Sequence, residues 1–87
     1  MDFTSDWHSP HVPLWQEYLG PLDGRPVRCL EIGSHEGRSA VWIVQHVLSH
    51  PDSTLTCIDP WPNTAAEQRF DANVSELGRA KQVRKLK

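Results

Sequence analysis

Long hydrophobic runs are missing from this chain. No apolar stretch approaches the ~18–20 residues that span a bilayer. The acidic start, Met1-Asp2-Phe3-Thr4-Ser5-Asp6, has no signal-peptide core. The expectation is a soluble, cytoplasmic protein with no membrane partner. Cysteine is scarce, and Cys29 and Cys57 lack both the number for a disulfide scaffold and the spacing of a metal site. No excess of one charge sign is present either. A formal net charge of -2 argues against a strong phosphate-binding surface, so no nucleic-acid partner is expected. The basic tail, Arg79, Lys81, Arg84, Lys85 and Lys87, reads as a polar strand. Repeats and low-complexity segments are absent. Eighty-seven residues allow one small domain at most, and a hydrophobic fraction of 38% gives it a modest core.

What is present is an alternation of short apolar strands and amphipathic helices. Residues 1–11 look irregular. Val12, Trp15 and Leu19 form one apolar stripe over a helix at 12–19, which Gly20-Pro21 ends. Val27-Arg28-Cys29-Leu30-Glu31-Ile32 reads as a buried parallel strand. Gly33-Ser34-His35-Glu36-Gly37 then makes a glycine-punctuated turn into a helix over 38–49. Val41, Val44 and Leu48 give that helix an apolar face, and Trp42 with Ile43 widens the arc toward a second covered flank. Thr54-Leu55-Thr56-Cys57-Ile58 is the second strand, stopped by Asp59-Pro60-Trp61-Pro62 because proline removes ladder donors. Thr64 and Glu67 fit a capping box, with Phe70, Val74 and Leu77 on the following helix and Gly78 past its end. A third strand begins within 82–87. The domain division is an irregular segment with a short helix at 1–26 and a partial Rossmann-like domain at 27–87. The expected fold is α/β, with a doubly wound parallel sheet that is incomplete.

Two acids mark candidate chemistry. Glu31 stands at the end of the first strand, before Gly33 and Gly37, whose missing side chains let a ligand approach the backbone. Asp59 ends the second strand, 28 residues later, where an acid accepts ribose hydroxyls in nucleotide-binding sheets. If both acids end adjacent strands at one level, Cys29 and Cys57 lie side by side as buried, unbridged thiols. His46 and His50 are spaced like helical zinc ligands but lack an intervening glutamate motif, so no metal is expected. His8 and His11 read as surface residues, and the tryptophans as packing residues.

The run Leu30-Glu31-Ile32-Gly33-Ser34-His35-Glu36-Gly37-Arg38-Ser39-Ala40, followed by Cys57-Ile58-Asp59-Pro60-Trp61, resembles class I S-adenosylmethionine-dependent methyltransferases. Within them it resembles methyltransferase domain family 24, and Phe70-Asp71-Ala72-Asn73-Val74 fits that subgroup's second crossover helix. The resemblance covers about residues 12–87. It implies an N-terminal, cofactor-binding part with S-adenosylmethionine as cofactor. Gly33 and Gly37 would flank its methionine part, with Ser34 in the same loop and Glu31 nearby, acting through water. Asp59 would bind the ribose and Trp61 would border the adenosine pocket. No catalytic residue carries over, the methyl acceptor is unassigned, and the chain alone is expected to be inactive. Two other readings stand beside it. One is a nicotinamide dinucleotide site, disfavoured because His35 would crowd a pyrophosphate. The other is a non-catalytic remnant that associates through its open sheet edge.

Overall fold

A computed structural model describes residues 1–87. An extended arm leads into a single 3-10 turn, Ser9–His11, and then helix α1, Val12–Leu19. Pro13 lies in the first turn of α1, where no backbone donor is required. The remaining elements alternate: β1 is Arg28–Ile32, α2 is Arg38–His46, β2 is Thr54–Ile58, α3 is Thr64–Glu76 and β3 is Val83–Leu86. The strands lie in the order β1-β2-β3, and both pairings are parallel.

Right-handed crossovers between sequential neighbours place α2 and α3 on the same face. Leu55 and Cys57 point to that face and are fully buried. The other face is bare, with Leu30 63%, Ile32 78% and Leu86 46% exposed. This α/β arrangement is one wing of a Rossmann-like sheet. Its core joins Val44, Val47 and Leu48 to Leu55, Cys57, Trp61 and Phe70. Trp42 adds the second flank, meeting Trp15 of α1 edge to face at 5.8 Å.

β1 is parallel as expected but not buried, because no element covers its outer face. Four further local expectations need correction. The second helix stops at His46 rather than Ser49. Val47 and Leu48 both donate to Ile43 O and turn their side chains into the core. The carbonyls freed at this end accept from Arg79, which bonds Val44 O at 2.7 Å and also Leu48 O. Cationic donors suit the negative end of a helix. The cap of α3 is Asn63, not Thr64. Its Oδ1 accepts from Ala66 N at 3.2 Å, and Glu67 turns instead to Lys85 and Lys87. His8 is buried rather than superficial, because Trp15 and Trp42 pack its ring at 4.4 and 5.5 Å.

The fourth concerns register. Glu31 pairs with Cys57, and Cys29 with Leu55, so the strands are offset by two residues from the expected level. The cysteines share a face but are diagonal neighbours. Both are free thiols, with Cys57 buried and Cys29 only half-buried.

Candidate functional site

The site is assembled where β1 and β2 end. Gly33 N–H donates to Ile58 O at 2.7 Å and extends the ladder by one residue. Gly33 then turns the chain at φ +85, and Gly37 enters α2 at φ +86. These two positive angles are what the glycines are needed for. They differ in surroundings. A side chain at Gly33 would meet nothing within 4 Å, whereas one at Gly37 would stand 3.0 Å from the Phe70 ring. Gly33 therefore lies open, and Gly37 makes room for the core.

Between them the peptide of His35 is held from both sides. Its N–H donates to Asp59 Oδ2 at 2.9 Å, and its carbonyl accepts from Trp61 Nε1 at 2.7 Å. His35 has φ +49, a left-handed conformation that costs an ordinary residue about 1–2 kcal/mol. The clamp from the end of β2 offsets that cost. Asp59 Oδ1 also accepts from Trp61 N at 2.7 Å, so both oxygens of the acid carry a backbone donor. Trp61 is buried, packed 4.8 Å from Phe70, with Lys85 Nζ 5.0 Å from its ring centre.

Glu31 lies on the helix side of β1. Its Oε2 accepts from Ser39 Oγ in the first turn of α2, while Oε1 is buried without a partner. Ser34 is buried as well, and its hydroxyl has no partner beyond the weak one offered by the Cys57 thiol beside it. Burial pushes the neighbouring Cys57 thiol up to about 11, against the opposing pull of the Ser34 hydroxyl beside it.

Above this loop is a cleft of about 120 Å³. One wall is Gly33 to Glu36 with Arg38 and Ser39, and the other is Ser5, Trp7 and His8 of the arm. The arm is fastened by residues that lie far away in sequence. Glu36 accepts from Thr4 N at 2.7 Å and Thr4 Oγ1 at 2.6 Å. Asn73, buried on α3, accepts from Asp2 N at 2.7 Å and donates to Asp2 O at 2.9 Å. Arg38 donates to Ser5 O at 3.1 Å and stacks 4.5 Å over Phe3. Burial raises the pKa of Glu36, but the Thr4 donors with His35 and Arg69 outweigh it and hold the carboxyl below its ordinary 4.5.

The structure thus gathers Gly33, Ser34, Gly37, Asp59 and Trp61 around one loop, with Glu31 one layer beneath. Ser34 and Gly33 line the cleft directly. Glu36, read from sequence only as part of the glycine-punctuated turn, is a buried anchor, and His8 belongs to the cleft wall. The possible zinc pair is engaged otherwise. His50 Nδ1 accepts from Asp52 N at 3.0 Å, and His46 packs 4.9 Å from Trp42.

A family model described as a methyltransferase domain matches residues 30–87. The chain belongs to that methyltransferase family. The matched span of this methyltransferase domain starts inside β1 and takes in the glycine loop, Asp59, Trp61 and all of α3 and β3. The arm and α1 lie outside it. Comparison with curated proteins and with solved structures gives no match.

Proposed function

We propose that this methyltransferase domain binds S-adenosylmethionine, as class I enzymes do, at the cleft over the Gly33–Gly37 loop. The observation that carries the reading is Glu31, whose Oε1 is buried without a donor. An unsatisfied buried polar group costs about 1–3 kcal/mol, and more when charged. The ammonium of the cofactor's amino-acid end removes that cost, acting across a bridging water because Glu31 lies one layer behind the cleft wall.

The other residues fit the same ligand. Gly33 leaves its backbone open to close approach. A carboxylate offers about four lone-pair sites, and the two backbone donors on Asp59 leave the rest for ribose hydroxyls. Trp61 fixes the His35 peptide from within the core, so it supports the adenosine side by shaping the loop. The cleft is smaller than the roughly 300–1,000 Å³ of whole-ligand pockets, which suits one end of the cofactor. When bound, the cofactor supplies an electrophilic methyl group on a sulfonium. The chain's own contribution is to hold and orient it, since a positioned donor removes much of the entropic barrier to transfer.

Titration calorimetry of the chain with S-adenosylmethionine and, separately, with NAD tests the reading. Heat of binding is expected for the first alone. Absence of S-adenosylmethionine uptake, with or without uptake of NAD, would overturn it.

A further inference from the structure

We propose that the N-terminal arm is a working wall of the cofactor site, with His8 and Trp7 contacting bound S-adenosylmethionine. This rests on the cofactor reading above. The arm lies outside the span matched by the methyltransferase family, yet it forms one whole side of the cleft. Glu36, Asn73 and Arg38 hold it there through backbone and side-chain bonds to Asp2, Thr4 and Ser5.

Two polar side chains that line this cleft, one on each wall, are buried without a strong partner. Ser34, 3% exposed, has an Oγ with only the weakly accepting Cys57 thiol beside it, and His8, 8% exposed, has an unpaired Nε2. Buried polar groups are nearly always bonded, so two under-bonded groups in one cleft point to a ligand that bonds both. Burial holds the His8 imidazole below its ordinary 6.5, so it is uncharged at neutral pH and adds no charge to that of Arg38, the guanidinium in the cleft wall, which pairs with Asp6 at 3.7 Å. Trp7 differs from the other tryptophans. Trp42 and Trp61 are buried and Trp15 is half-buried, but Trp7 is 83% exposed at the cleft. Its ring face attracts cations, and the cofactor's ammonium and sulfonium are both cationic.

Calorimetric titration of S-adenosylmethionine into the 87-residue chain and two variants decides the matter. Trp7→Ala removes an exposed ring and leaves the core intact. His8→Phe keeps a ring between Trp15 and Trp42 and deletes Nε2. Affinity is expected to fall about fivefold in Trp7→Ala and about tenfold in His8→Phe, with melting temperatures close to wild type. If wild type binds and both variants match it, the arm proposal is overturned and the cofactor reading stands. If wild type does not bind, the cofactor reading falls and the arm proposal with it. Should His8→Phe fail to fold, amide exchange in the wild-type arm replaces it. Slower exchange at residues 3–8 on adding cofactor supports the proposal, and unchanged exchange overturns it.

Discussion

Gly33 and Gly37 share nearly the same backbone angle but answer to different neighbours, and an alanine at each separates the two demands. At Gly33 a Cβ meets nothing within 4 Å, so the stability cost of Gly33→Ala is conformational alone. A left-handed angle costs an ordinary residue about 1–2 kcal/mol. At Gly37 the same term applies, and the new methyl would also stand 3.0 Å from Phe70 Cδ2 and 3.6 Å from Cε2. Phe70 is 1% exposed and packs on Trp61 at 4.8 Å, so its ring has little room to retreat. Overpacking of this kind costs about 1–3 kcal/mol. Gly37→Ala is therefore expected to be less stable than Gly33→Ala by roughly that amount. Each kcal/mol corresponds to about 4–8 °C of melting temperature in a domain this small. Binding should follow the opposite order, because only the Gly33 methyl enters space left for a ligand. Thermal melts followed by near-ultraviolet circular dichroism, with calorimetric titration of S-adenosylmethionine, give both readouts. Equal melting temperatures for the two variants would refute the packing argument. Full cofactor affinity in Gly33→Ala would refute the assignment of the open space.

Three further outcomes are expected. Asp59→Ala removes the acceptor for His35 N–H and Trp61 N–H, so stability should fall by about 1.5–3 kcal/mol and cofactor affinity should fall with it; Asp59→Asn, which keeps one amide oxygen, should retain part of both, and an Asp59→Ala melt identical to wild type would count against the clamp. Glu36 has a folded pKa below its ordinary 4.5, so the stability it contributes is complete above that value and is lost as pH falls through the lowered folded one. Acid melts of wild type and Glu36→Gln should therefore converge as pH drops, and a gap that widens toward acid would contradict the anchor. Cys57, buried with its thiol pushed up to about 11, and Cys29, raised by burial, should resist alkylation at neutral pH until the chain unfolds. Rapid labelling of native Cys57, read by mass spectrometry, would show that this core is open.

Much of the fold was legible because the signals that set it are local. The second strand reads directly from Thr54 to Ile58, bounded by Ser53 and by Asp59-Pro60, and the apolar stripe of Val12, Trp15 and Leu19 marks α1 over its observed length. What local signals could not give are contacts between distant segments. Glu36 resembles any polar loop residue until Thr4, 32 positions earlier, is brought onto it. His8 looks superficial beside Pro10 until Trp15 and Trp42 close around it. Asn63 and Thr64 are both capping residue types, and the choice fell to Asn63 once Lys85 and Lys87 drew Glu67 out of the capping box. The end of α2 was hidden for the same reason. Arg79, 35 positions away in the chain, satisfies the Val44 carbonyl that a longer helix would have used itself.

The two-residue offset between β1 and β2 changes what the two acids can do. Treating Glu31 and Asp59 as equivalent strand ends makes them a level pair. The observed register pairs Ile32 with Ile58, so Glu31 lies inside the ladder and Asp59 lies beyond it. Period-two alternation then fixes Glu31 on the helix side, level with Cys57 and beneath Ser39 at the start of α2. Asp59, past the last paired residue, is free to fold back over the loop and hold His35. One acid thus supports the cleft from below, with an oxygen still lacking a donor. The other holds the loop from the β2 side, with a donor already on each oxygen. Under the proposed cofactor reading, a ligand spanning both would place a cationic group toward Glu31 and hydroxyls toward Asp59. S-adenosylmethionine, with its ammonium and its ribose on opposite sides of a sulfonium, has that arrangement.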